Sequence, residues 1–133
     1  MKKVSIVIMM LFMAGCTTMT PEKFALKTDD EVCRASGYLR NILGGKKLAE
    51  PWMRELEKRN LLTEREIAAV NNKEIFIGMT ECALYASWGS PKRTNRSVSH
   101  DGINIQNIYG DYSKYSKPTY VYTRNGVVTS WQD

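Results

Sequence analysis

A chain of 133 residues with 43% hydrophobic and 25% charged side chains has room for one small domain and enough apolar content to fold it. That size excludes a multi-domain enzyme and a polytopic membrane protein, and no period of roughly 20–50 residues points to a repeat array. The formal charge of +5 falls to +3 once Lys2 and Lys3 leave with the leader read below, which is too weak to argue for nucleic acid.

Lys2 and Lys3 precede an apolar run over residues 4–14, and the stretch closes with Met13-Ala14-Gly15-Cys16. Such a run makes about 16 Å of helix against roughly 30 Å of hydrocarbon, so it reads as a signal-peptide core rather than a span. A cysteine directly after Ala-Gly resembles the lipobox of bacterial lipoproteins, with Met13 in place of the usual leucine. The resemblance implies cleavage before Cys16, thioether-linked diacylglycerol on its sulfur, and a further fatty-acyl chain such as palmitate on the new amine. Thr17 resembles the outer-membrane sorting class, so the expected address is the bacterial envelope, on the outer membrane and facing the periplasm. Residues 1–15 are then the signal peptide, and 16–28, polar and containing Pro21, the lipidated tether. Export leaves Cys33 and Cys82 in an oxidising compartment. They read either as a disulfide or as two small buried apolar side chains, because spacing alone cannot decide.

Residues 29–73 carry helical grammar. Thr28-Asp-Asp-Glu31 fits a capping box, and Val32, Ala35, Leu39, Ile42 and Leu43 follow on one face until Gly44-Gly45 stops the helix. Pro51 suits the first position of a second helix over 51–60, with Trp52, Met53 and Leu56 inward. A second box, Thr63-Glu-Arg-Glu66, opens a short helix through Val70.

From residue 74 to 133 the grammar changes. Ile75-Phe-Ile77 is a short β-prone run, and Thr80 can cap a helix over 81–88 that Gly89 and Pro91 close. Two hairpins follow, 92–99 with 103–109 around Asp101-Gly102, and 119–123 with 127–131 around Asn125-Gly126. Asn-Gly favours a type I′ turn, because both central residues need positive φ. Taken literally, it sets Tyr120 opposite Trp131 and Tyr122 opposite Thr129, with Val121 and Val128 on the other face. Short N-terminal helices, a strand and helix, and a small antiparallel sheet make an α+β fold, with 29–73 and 74–133 packed as one domain.

Ile77-Gly78-Met79-Thr80, then Trp88-Gly89-Ser90-Pro91, Tyr109 and the ending from Tyr120 to Trp131 resemble the BamE-like (SmpA/OmlA) family of small bacterial outer-membrane lipoproteins. In that family an I-x-x-G-M-T turn opens a helix, G-x-P closes it, and an antiparallel sheet finishes the domain. The resemblance implies a sheet packed on helices, an outer-membrane lipid anchor and no catalysis. Its founding member supports the machine that inserts β-barrel proteins. The same layout is similar to the fold of proteinaceous β-lactamase inhibitors, so fold alone does not fix function. Residues 28–73 add a helical segment to the family's pattern.

Chemistry is sparse. His100 is the one histidine, and Cys82–His100 would be the only nucleophile–base pair, with no third residue marked to orient it. Cys33 and Cys82 lack the paired spacing of a metal site, and there is no phosphate-binding glycine loop, so no catalytic residue, metal, cofactor or small-molecule substrate is expected. Five of the seven tyrosines fall between Tyr109 and Arg124. Tyrosine joins a large apolar body to a polar tip and is enriched at interfaces. Tyr112, Lys114, Tyr115 and Lys117, on the loop 110–118, are therefore the candidate partner contact. The expected function is an accessory binding component of an envelope protein complex, in β-barrel assembly or envelope integrity. The alternative is a stand-alone inhibitory or exclusion lipoprotein, from a mobile element, that blocks an envelope enzyme or receptor.

Overall fold

Local chemistry at the helix starts sets the first half of the chain. The computed structural model describes residues 19–114 and 116–133. The signal peptide, Cys16 and Tyr115 therefore lie outside the described residues. α1 (Pro21–Ala25) begins on Pro21, whose fixed φ suits a first helical position, and buries Phe24 edge-to-face against Trp52 at 5.1 Å. The tether expected over 16–28 is thus folded onto the domain from Pro21 onward.

α2 (Asp29–Arg40) opens with the complete Thr28/Glu31 capping box and ends at Asn41, earlier than its apolar spacing suggests. The Asn41 side chain donates to the Gly37 carbonyl at 2.8 Å and satisfies the last turn. Ile42 and Leu43, expected on the buried stripe, therefore lie beyond the helix and face outward. α3 (Gly45–Lys58) starts six residues before Pro51, not at it. Gly44, at φ +72°, turns the chain and lets the helix begin there, and Pro51 merely leaves one internal hydrogen bond unmade. Arg59 then ties α1, α2 and α3 together, donating to Phe24 O at 2.7 Å, Lys27 O at 3.0 Å, Asp29 at 2.8 Å and Glu55 at 2.7 Å.

α4 (Glu64–Asn72) carries the second capping box, Thr63 with Glu66, and stops where Lys73 takes a left-handed φ of +58°. The strand expected at 75–77 does not form. A strand would point alternate side chains to opposite faces, but Ile75 and Phe76 both pack against the core. Gly78, Met79 and Glu81 meet the sheet instead: Gly78 N–H donates to Val128 O, Val128 N–H to Met79 O and Glu81 N–H to Gly126 O, each at 2.8 Å. This is a single bridge, Thr80 to Val127, rather than a fifth strand.

α5 (Glu81–Trp88), capped by Thr80, buries Ala83 through Ser87 on every side. α2 crosses it so closely at Gly37 that an added Cβ would stand 1.8 Å from the Tyr85 carbonyl oxygen. A disulfide between Cys33 and Cys82, Cα atoms 5.1 Å apart, joins the same two helices. The core runs from Val32, Leu56 and Val70 through Met79 and Leu84 to Val121 and Val128.

The sheet is an antiparallel meander of β1 (Arg93–Ser99), β2 (Gly102–Tyr109), β3 (Thr119–Arg124) and β4 (Val127–Gln132). The first turn is His100-Asp101, one residue earlier than expected, and Gly102 takes φ +124° after it. In the second, Asn125 and Gly126 both adopt positive φ, as a type I′ turn requires. Asn125 also accepts the Ile103 N–H on its side-chain oxygen at 2.9 Å, which stitches the two hairpins together. The register that this turn sets holds for Arg124–Val127 and Thr123–Val128, then slips by one at a bulge. Thr129 is the extra residue, its hydroxyl donating to Tyr122 O at 3.2 Å. Tyr122 therefore faces Ser130, and Trp131 moves from Tyr120 to Val121.

Candidate functional site

The helical layer covers one face of the sheet through a polar seam. The Tyr85 hydroxyl donates to Asn107 at 3.0 Å, Thr123 bonds Glu81, and Tyr109 donates to the Gly89 carbonyl at 3.0 Å. Burial pushes both phenols above their ordinary pKa, so each stays protonated and serves as a donor. This seam is structural: its polar atoms are turned toward one another. Trp88 closes its end, edge-to-face on Tyr109 at 5.4 Å, with its indole N–H on the Lys73 carbonyl.

The one nucleophile–base pair that the sequence offers does not assemble. The Cys82 sulfur is bonded to Cys33, and His100 sits in the solvent-exposed β1–β2 turn beside Asp101 at 2.9 Å. A disulfide sulfur has no thiolate to activate. Among the described residues no group of three or more histidine, cysteine, aspartate or glutamate side chains is placed to hold a metal ion.

The loop 110–118 leaves β2 at Gly110 and returns through buried Pro118. Its first half is held by an ion pair between Lys92 and Asp111. A turn follows in which Ser113 N–H donates to Ser116 O at 3.0 Å. Tyr112 is 70% exposed, and its hydroxyl meets that of Tyr120 at 2.7 Å, so the aromatic ring is positioned rather than loose. That hydrogen bond holds the Tyr120 phenol above its ordinary pKa. Lys114 and Lys117 stand on the exposed part of the same loop. Of the four candidate contact residues, Tyr112, Lys114 and Lys117 thus stand exposed on one loop, and Tyr115 is outside the described residues.

Next to this loop lies a feature that sequence reading missed. On the sheet face turned away from α5, side chains in one cross-strand row bond hand to hand, Asn95 to Gln106 at 2.7 Å and Gln106 to Tyr122 at 3.0 Å, and Tyr122 reaches diagonally to Gln132 at 3.3 Å. Arg124 adds a bond to Asn104 at 3.0 Å. Asn95, Asn104, Gln106, Tyr122 and Arg124 border an open cleft of about 470 Å³. The signal was present as polar residues at alternate positions, Asn95 and Ser97 on β1, Asn104 and Gln106 on β2, Tyr122 and Arg124 on β3, but the row becomes visible only with the register.

No helix among the described residues is long and apolar enough to cross a membrane. No family model matches the chain, and neither a curated protein nor a solved structure matches it.

Proposed function

We propose that this chain is a non-catalytic lipoprotein of the bacterial envelope, anchored through acylated Cys16 and serving as an accessory binding component of an envelope protein complex. The observation that carries the reading is the leader's sequence: two lysines, then a short apolar run, then Met13-Ala14-Gly15-Cys16. The Cys33–Cys82 disulfide supports it, because such bonds persist in oxidising compartments outside the cytosol. The BamE-like resemblance of the second half supports an outer-membrane address and a role beside the barrel-assembly machinery. Tyr112, Lys114, Tyr115 and Lys117, with the polar row of the outer sheet face, form the contact surface. That surface couples aromatic area to paired amide and hydroxyl groups, the composition of a protein interface rather than of a reaction centre.

In-cell photo-crosslinking from position 112 and from position 115, followed by mass spectrometry of the adducts, tests this. The expected result is a discrete adduct with one envelope assembly protein. An adduct with a single receptor or enzyme would replace the accessory reading with an inhibitory one. No adduct from either position would remove the loop from the interface.

A further inference from the structure

The corner between α2 and α3 breaks two local rules at once. Leu43 is fully exposed, Leu48 is 53% exposed and Ile42 39%, so three large apolar side chains within one short stretch face solvent. Beside them lies a cleft whose charged lining residues all have one sign. Arg40, Gly44, Lys46, Lys47, Asn71 and Lys73 line this cleft of about 460 Å³, which no carboxylate enters. α2 and α4 follow the helix dipole with acidic first turns and side-chain caps. α3 instead starts on an uncapped glycine with Lys46 and Lys47 and no acid in its first turn. Cations there oppose the dipole, and exposed leucines oppose burial, so the corner lowers the stability of the free fold on both counts.

An anionic phospholipid surface relieves both conflicts together. Its interface accepts leucine and isoleucine side chains at the acyl boundary, while its phosphates face a ring of lysine and arginine. A free phosphate would answer the charges and leave the apolar tip in water. A protein groove would answer the tip but needs an acidic rim to match four cations. We infer that the α2–α3 corner is a membrane-contact tip, with Ile42, Leu43 and Leu48 entering the interface and Arg40, Lys46, Lys47 and Lys73 holding anionic headgroups. This contact depends on residues of the corner itself and does not require acylation of Cys16. It also lies in the helical segment, outside the stretch that resembles the BamE-like family.

The test uses the full-length chain carrying Cys16→Ser, so that no acyl group contributes, with Leu43→Cys labelled by an environment-sensitive fluorophore. Vesicles of phosphatidylcholine alone are compared with vesicles containing phosphatidylglycerol. The fluorophore is expected to brighten and shift blue only on the anionic vesicles, while the same label at Val98→Cys, exposed on β1, stays unchanged. Lys46→Ala with Lys47→Ala is expected to weaken the response about 25-fold, at roughly five-fold for each lysine. The apolar leader is common to every variant, so it cancels in that comparison. An equal response on neutral vesicles, an equal response at position 98, or indifference to the lysines would overturn the inference. So would a response at position 43 to inorganic phosphate without one to vesicles, which would make the corner a free-anion site. Fatty-acid labelling of the unsubstituted chain is read separately, so loss of the corner leaves the anchor standing, and the reverse.

Discussion

Glu66 shows how much one carboxylate holds together. One oxygen accepts the Thr63 N–H at 2.8 Å and closes the capping box, and the other accepts the Thr80 N–H at 2.6 Å, joining the start of α4 to the start of α5. Burial by itself would raise its pKa, but the hydrogen bonds from Thr63 and Thr80 outweigh it and hold the carboxyl below its ordinary 4.5. A depressed carboxyl adds stability that is fully present above the unfolded value and is lost as pH falls through the folded one. Acid unfolding followed by circular dichroism should therefore show a stability loss below about pH 4.5 that is smaller in Glu66→Gln. Parallel acid limbs in the two chains would contradict this. At neutral pH, Glu66→Ala should cost about 1–3 kcal/mol, because the Thr80 N–H is left without a partner. This residue is half legible in sequence: its cap to Thr63 is three residues away, whereas its bond to Thr80 depends on how α4 meets α5. The cysteines divide in the same way. Their type and compartment can be read from the sequence, but their pairing rests on a 5.1 Å Cα separation across residues 49 apart. Closing a loop of that length should contribute about 4 kcal/mol. Thiol titration after denaturation without reduction should find neither cysteine free, and Cys33→Ser with Cys82→Ser should lower the unfolding free energy by about that amount. Two titratable thiols at these positions would show the bond absent.

At the scale of elements, signals confined to one turn of chain are reliable and signals that depend on a partner are not. Thr28, Thr63 and Thr80 cap α2, α4 and α5 as their spacing suggests, because a cap needs only its own first turn. The apolar spacing through Ile42 and Leu43 misleads because Asn41 ends the helix with its side chain, an event that periodicity does not register. Residues 75–77 mislead for another reason: β-prone side chains there serve the helical core rather than a ladder. The Asn125-Gly126 turn fixes its hairpin, yet the Thr129 bulge shifts the far end by one residue. α2 and α5 approach each other closely at Gly37. Gly37→Ala places a methyl group against the Tyr85 backbone, which cannot yield as a flexible side chain would. It should cost about 1–3 kcal/mol in chemical denaturation, with the core opened between these helices. A neutral effect would mean that the two helices slide freely past each other.

Across the whole molecule, the helices lie on one side of a meander whose opposite face carries a satisfied polar row and, beside it, the Tyr112 loop. The fold class is legible from the order of caps and hairpins. The sheet face left open is not, because it depends on which strand parity α5 covers. This layout puts the two proposed binding surfaces at separate places: the sheet face with its loop, and the basic apolar corner between α2 and α3. A lipid anchor ahead of Met19 would hold the start of the domain close to the bilayer, since Cys16 is three residues away and such a stretch spans at most about 10 Å. Metabolic labelling with an alkyne fatty acid, comparing the unsubstituted chain with Cys16→Ser, tests that anchor most directly. The expected result is a labelled, membrane-bound protein that loses both label and membrane retention on substitution. A protein that stays unlabelled in both forms, or that stays on the membrane without label, would contradict it.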